Sequence, residues 1–130
     1  MGFFDFIFGS GTGSAYGSVS QETVRKITSD WENVSVLLKQ KGPSQLKQAL
    51  ITADKSLDAV LKEIVPGETM GERLKNAVEK FDRPTYNRIW EAHKLRNSLV
   101  HEAGFEPAYF MITEAVANLK EALYKLGVNV

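Results

Sequence analysis

From residue 20 onward, apolar residues recur at three- and four-residue steps and nowhere alternate with period two, which commits the chain to helices packed on one another. Four prolines interrupt the pattern: Pro43 after Lys41-Gly42, Pro66 before Gly67, Pro84 after Asp82-Arg83, and Pro107 after Gly104-Phe105-Glu106. Proline suits the first turn of a helix but not its interior, so these positions mark junctions and leave five helical segments. The first carries Val24, Ile27, Trp31, Val34 and Leu38 after Ser20, a residue type that caps helix N-termini. The second carries Leu46, Leu50, Ala53, Leu57, Val60 with Leu61, and Ile64, with Ser44 as its expected cap. The third is short, with capping-box spacing in Thr69-Met70-Gly71-Glu72 ahead of Leu74, Ala77, Val78 and Phe81. The fourth runs from about Pro84 to Ala103. The fifth opens with Pro107 in its first turn and continues through Tyr109, Ile112, Val116, Leu119, Leu123 and Leu126 to Gly127. No repeat at a solenoid period is present. The expected fold is all-α: a bundle of four long helices and one short one over residues 20–130.

A length of 130 residues is that of one domain with its own core. The absence of cysteine excludes a disulfide scaffold, a thiol nucleophile and any thiolate metal site, and suits a reducing, cytoplasmic setting. Sixteen basic residues balance sixteen acidic ones, so global charge points to no polyanionic partner. No apolar run approaches the ~20 residues of a membrane span, so a soluble or at most tethered chain is expected.

Residues 1–19 differ in kind from the rest. Phe3-Phe4-Asp5-Phe6-Ile7-Phe8 is followed by Gly9-Ser10-Gly11-Thr12-Gly13-Ser14, a composition that behaves as a flexible linker. No Lys or Arg precedes the short apolar stretch, so it does not read as a secretory signal. Phe6 stands where myristoylation wants Ser or Thr. The expectation is a flexible tail, either self-packed or docking through its phenylalanines on a protein groove or a membrane interface.

The fourth segment carries the chemistry. With His93 at zero and ~100° per residue, Tyr86, Ile89, Trp90, His93, Asn97 and Val100 fall within about 60° of one line. Arg96 lies at about −60° and His101 at about +80°, while Leu95 and Leu99 lie on the far side. A helix apolar on two sides is central in its bundle or faces a second subunit. His93, mid-stripe, is expected to be a buried, hydrogen-bonded structural histidine. The two histidines sit ~12 Å apart along the helix, so one metal ion cannot take both, and no cofactor is expected. What remains is Arg96, Asn97 and His101: a guanidinium to clamp phosphate, an amide to orient it, and an imidazole to move a proton. Residues 73–96 hold seven basic and three acidic side chains, and Arg88 and Lys94 within that run are candidates for binding substrate.

The string Ala92-His93-Lys94-Leu95-Arg96-Asn97-Ser98-Leu99-Val100-His101-Glu102 resembles the signature of HEPN (higher eukaryotes and prokaryotes nucleotide-binding) domains. That signature is an arginine, a polar residue, and a histidine after four to six intervening positions, late in an all-α bundle; Arg96, Asn97 and His101 match it. Ala53-Asp54-Lys55-Ser56-Leu57-Asp58-Ala59-Val60-Leu61-Lys62 is also similar to the second long helix of small prokaryotic members. The resemblance implies a metal-independent endoribonuclease of toxin–antitoxin, CRISPR or antiphage systems. It further implies RNA as substrate, a homodimer that joins two motifs in one cleft, and an antitoxin or other protein partner. Other members bind without cleaving, so the alternative is a non-catalytic module for a protein, a nucleotide or a membrane surface.

Overall fold

A computed structural model describes residues 17–130; the Phe-rich stretch and the Gly/Ser linker of the tail lie outside the described residues. The chain forms α1 (Gln21–Gln40), α2 (Pro43–Ile64), α3 (Met70–Asn76), a single 3-10 turn (Val78–Lys80), α4 (Arg83–His101) and α5 (Tyr109–Lys125). The described residues are all-helical, as the periodicity requires.

Local chemistry sets the helix ends, and it differs from expectation at four of them. Ser20 does cap α1, its side chain accepting from the Thr23 N–H at 3.2 Å. At α2 the cap position is Gly42, not Ser44: Pro43 occupies the first turn, where its missing N–H costs nothing. Thr69 caps α3, but Glu72 reaches back to the N–H of Glu68 rather than to that of Thr69. Asp82 caps α4, accepting from the Thr85 N–H and hydroxyl, and the Thr85 hydroxyl first of all holds the Asp82 carboxyl below its usual value. α4 stops at His101, short of Ala103. Pro107 lies outside α5, whose cap position is Ala108. Gly127, with φ +89°, turns the chain out of α5 where a terminating glycine is expected.

Long-range contacts fix the helix directions. The Ser20 N–H and the Thr23 hydroxyl donate to Glu63, joining the start of α1 to the end of α2. Lys125 lies 3.8 Å from Asp82, joining the end of α5 to the start of α4. At the opposite pole Lys41, closing α1 with φ +64°, sits over the ring of Tyr109 at 5.6 Å. Gly17–Val19, grouped by composition with the tail, lie along the bundle instead, with Val19 half-buried against the core.

The central helix is α2, not α4. It packs on α1, α3, α4 and α5, and Leu46, Ala49, Leu50, Ala53, Leu57, Val60 and Leu61 are all buried. Ala49 and Ala53 let neighbours approach on several sides, which a Leu-only stripe does not permit. The second apolar face of α4 turns to α5: Leu99 is buried, and Leu95 borders a groove with Met111 and Ala115. Two polar joints brace α2. Trp31 Nε1 donates to Ser56 Oγ at 2.8 Å, inside the core. Arg73 makes a two-pronged pair with Asp58, Nε to Oδ1 at 2.7 Å and Nη2 to Oδ2 at 2.9 Å, and also donates to the Gly67 carbonyl. Gly67, at φ +139°, must be glycine, because a Cβ there would lie 2.9 Å from the Arg73 backbone nitrogen.

Candidate functional site

The site is built where α4 crosses α2. Asp54 occupies a core position on α2, three residues before Leu57 and four after Leu50, and is only 2% exposed. A carboxylate so placed needs hydrogen-bond donors. α4 supplies them. His93, 9% exposed, brings Nδ1 to 3.0 Å from Asp54 Oδ2 and 3.3 Å from Oδ1. Toward an ionised carboxylate, which only accepts, Nδ1 serves as the donor of this bond. Arg96, one turn further on, places Nε 3.7 Å from the same Oδ2, within ion-pair reach but too far for a hydrogen bond. Its Nη1 donates to Asn97 Oδ1 at 3.0 Å, while its Nε is buried and has no hydrogen-bond partner.

The His93 ring is fixed from behind by a row of aromatic groups. Phe81 stacks near Tyr86, Tyr86 meets Trp90 edge-on, and Trp90 meets His93 edge-on, with successive centroids 6.4, 6.4 and 6.0 Å apart. The Tyr86 hydroxyl donates to the Leu74 carbonyl, which anchors the row to α3. Imidazole, carboxylate and guanidinium are thereby set by packing on both helices.

The sequence-derived candidates divide accordingly. Arg96 and Asn97 are bonded to each other at the rim of the cluster, both half-buried. His101 is exposed at the last residue of α4, and its imidazole makes no hydrogen bond to the described residues. Lys94 is exposed and borders the α4–α5 groove with Glu91 and Leu95, away from the Asp54 side of the helix. Arg88 is exposed and reaches back to the Thr85 hydroxyl at 3.4 Å. The basic run loses one member to the interior, since Arg73 is spent on Asp58, whose hydrogen bonds and charge, helped by Glu72 and against the cost of burial, hold its guanidinium even more firmly protonated than usual. His93 is buried and hydrogen-bonded, as its place in the stripe requires. Asp54 was not among the candidates. Its signal in the sequence is a lone carboxylate in the register of Leu50, Leu57 and Leu61.

The arrangement offers a guanidinium on a side chain 31% exposed, an amide beside it, and an imidazole about 7.5 Å further along the helix that has no partner among the described residues. Among the described residues no three His, Asp or Glu side chains gather as a group able to hold a metal ion, and no helix is long and apolar enough to cross a membrane. Comparison with protein-family models, curated proteins and solved structures returns no match.

Proposed function

We propose that this chain is a metal-independent endoribonuclease of the HEPN type, working as a homodimer. The observation that carries the reading is Arg96: its guanidinium is fixed by Asn97 and by the carboxylate of Asp54, yet its side chain stays 31% exposed. A group held in that way meets a phosphate without first losing rotamer freedom. In the reaction an RNA 2′-hydroxyl attacks the adjacent phosphorus, its proton passes to a base, and the 5′-oxygen leaves with a proton from an acid. The products are a 2′,3′-cyclic phosphate and a 5′-hydroxyl. Arg96 stabilises the added charge on the phosphorane oxygens, Asn97 orients the guanidinium, and His101 moves one of the protons. Toxin or defence-related RNA cleavage in the cytoplasm is the corresponding role.

A second reading, a non-catalytic interaction module, is favoured by a different observation. Tyr109, Phe110 and Met111 open α5 with exposures of 44%, 66% and 38%, a run of apolar side chains that suits a protein surface. Purified protein incubated with total RNA in chelator separates the two. The endoribonuclease cleaves, while Arg96→Ala and His101→Ala stay folded and do not. Equal cleavage by wild type and His101→Ala, or none by any protein, decides for the module.

A further inference from the structure

The same chain contains two arginine–aspartate pairs in different states. Arg73 closes on Asp58 through two short hydrogen bonds, the geometry an arginine takes beside a carboxylate when nothing intervenes. Arg96 does not close on Asp54, although Asp54 is the more deeply buried acid and has more to gain from a strong donor. The difference is His93. Its Nδ1 engages both Asp54 oxygens, leaving Arg96 Nε at 3.7 Å and without a hydrogen-bond partner. Closing the gap needs a shift of about 1.0 Å, the difference between the Nε–carboxylate distance of 3.7 Å here and 2.7 Å at the closed pair. A shift of that size is within reach of a long, half-exposed side chain.

We propose that His93 is a positioning residue: by occupying Asp54 it keeps Arg96 from collapsing onto that carboxylate, and so holds the outer edge of the guanidinium available to a phosphate. This rests on the reading of Arg96 as the phosphate clamp. Asp54 then has a double part, attracting Arg96 enough to orient it while being shared enough not to capture it. Loss of His93 frees both oxygens, and Arg96 forms the fork that Arg73 already makes.

The test uses the full chain with His93→Leu, His93→Gln and the double variant His93→Leu/Asp54→Asn. The first removes the donor, the second keeps an N–H near Asp54, and the third removes the carboxylate that would capture Arg96. Binding of a 2′-O-methyl oligoribonucleotide, which cannot be cleaved, is followed by fluorescence anisotropy. His93→Leu is expected to bind about tenfold more weakly, the equivalent of one charge-assisted hydrogen bond diverted from the ligand. His93→Gln is expected to bind within about threefold of wild type, and the double variant, which loses both the capture and the orienting charge of Asp54, to regain only part of the binding that His93→Leu loses. A double variant as weak as His93→Leu, or a folded His93→Leu that binds like wild type, overturns the proposal. If His93→Leu does not fold, the proposal is judged on His93→Gln, and a tenfold loss there counts against it. A second readout needs no RNA: the Arg96 Nε–H resonance should move downfield and exchange slowly in His93→Leu, and its failure to do so also overturns the proposal. Wild type that binds the probe no better than Arg96→Ala refutes the clamp itself, a result distinct from failure of the rescue.

Discussion

Asp54 shows what one residue does here and why it escaped a reading of spacing alone. Arg96, Asn97 and His101 are legible because they share a helix, and helix geometry fixes their relative directions from sequence. Asp54 and His93 lie 39 positions apart, and no periodicity brings them together. Only the register of Asp54 within an apolar stripe betrays that it is buried, and that register names no partner. The energetic consequence is large, since a buried carboxylate holding two cationic or donor groups leaves both uncompensated when it is removed. Asp54→Ala is expected to cost about 3–5 kcal/mol in urea unfolding. Asp54→Asn, which keeps an acceptor for His93 Nδ1, should cost clearly less, and a smaller loss for Ala than for Asn contradicts the hydrogen-bonded arrangement. Trp31→Phe tests the second buried polar joint: removing the Nε1–H donor to Ser56 should destabilise by about 1 kcal/mol.

Among the helices, the sequence marks existence and order well and boundaries unevenly, for identifiable reasons. A proline is compatible both with a first turn and with the loop just before it, so Pro43 enters α2 while Pro107 stays outside α5. The two apolar lines of α4 fit either a central helix or one facing a second subunit, and the central place belongs to α2, which gains its extra contacts through Ala49 and Ala53, residues a count of large apolar side chains undervalues. The junction of α1 and α2 makes a pH-dependent prediction. The Thr23 hydroxyl, followed by the Ser20 N–H, holds the Glu63 carboxyl below its usual value of 4.5. A carboxyl whose folded value is depressed contributes stability that is complete above its unfolded value and is lost as pH falls through the folded one. Wild type should therefore exceed Glu63→Gln in melting temperature at neutral pH, with the gap narrowing below about pH 4.5. A gap that does not change between pH 7 and pH 3 would falsify the assignment. At the same junction Ser20→Ala should cost about 1 kcal/mol through loss of the cap.

For the whole molecule, the decisive expectation is a symmetric homodimer built on the outer face of α4. Two observations lead there. Val100 belongs to the same line of α4 as His93 and Asn97, yet is 40% exposed, so the motif's own face carries an apolar residue that no helix among the described residues covers. Arg96 and His101 are ~140° apart around one helix, which leaves them poorly directed at a single phosphate within one chain. A two-fold axis beside Val100 answers both, because an isologous interface buries the same patch twice and sets each Arg96 opposite its partner's motif. Gly104, with φ +77°, turns the chain after His101 has already ended the helix, so the bend falls too late to swing His101 round toward Arg96. Light scattering should give twice the 14.5 kDa mass of the chain, and Val100→Glu should return the monomer and abolish cleavage together. Mixing separates a composite site from a self-contained one. A heterodimer of Arg96→Ala and His101→Ala keeps one intact Arg96 and one intact His101 on opposite chains, so a composite site regains activity where each variant alone has none. A site formed within one chain regains nothing on mixing. A monomer that cleaves RNA at full rate removes the dimer from the mechanism altogether, leaving Val100 an ordinary surface residue.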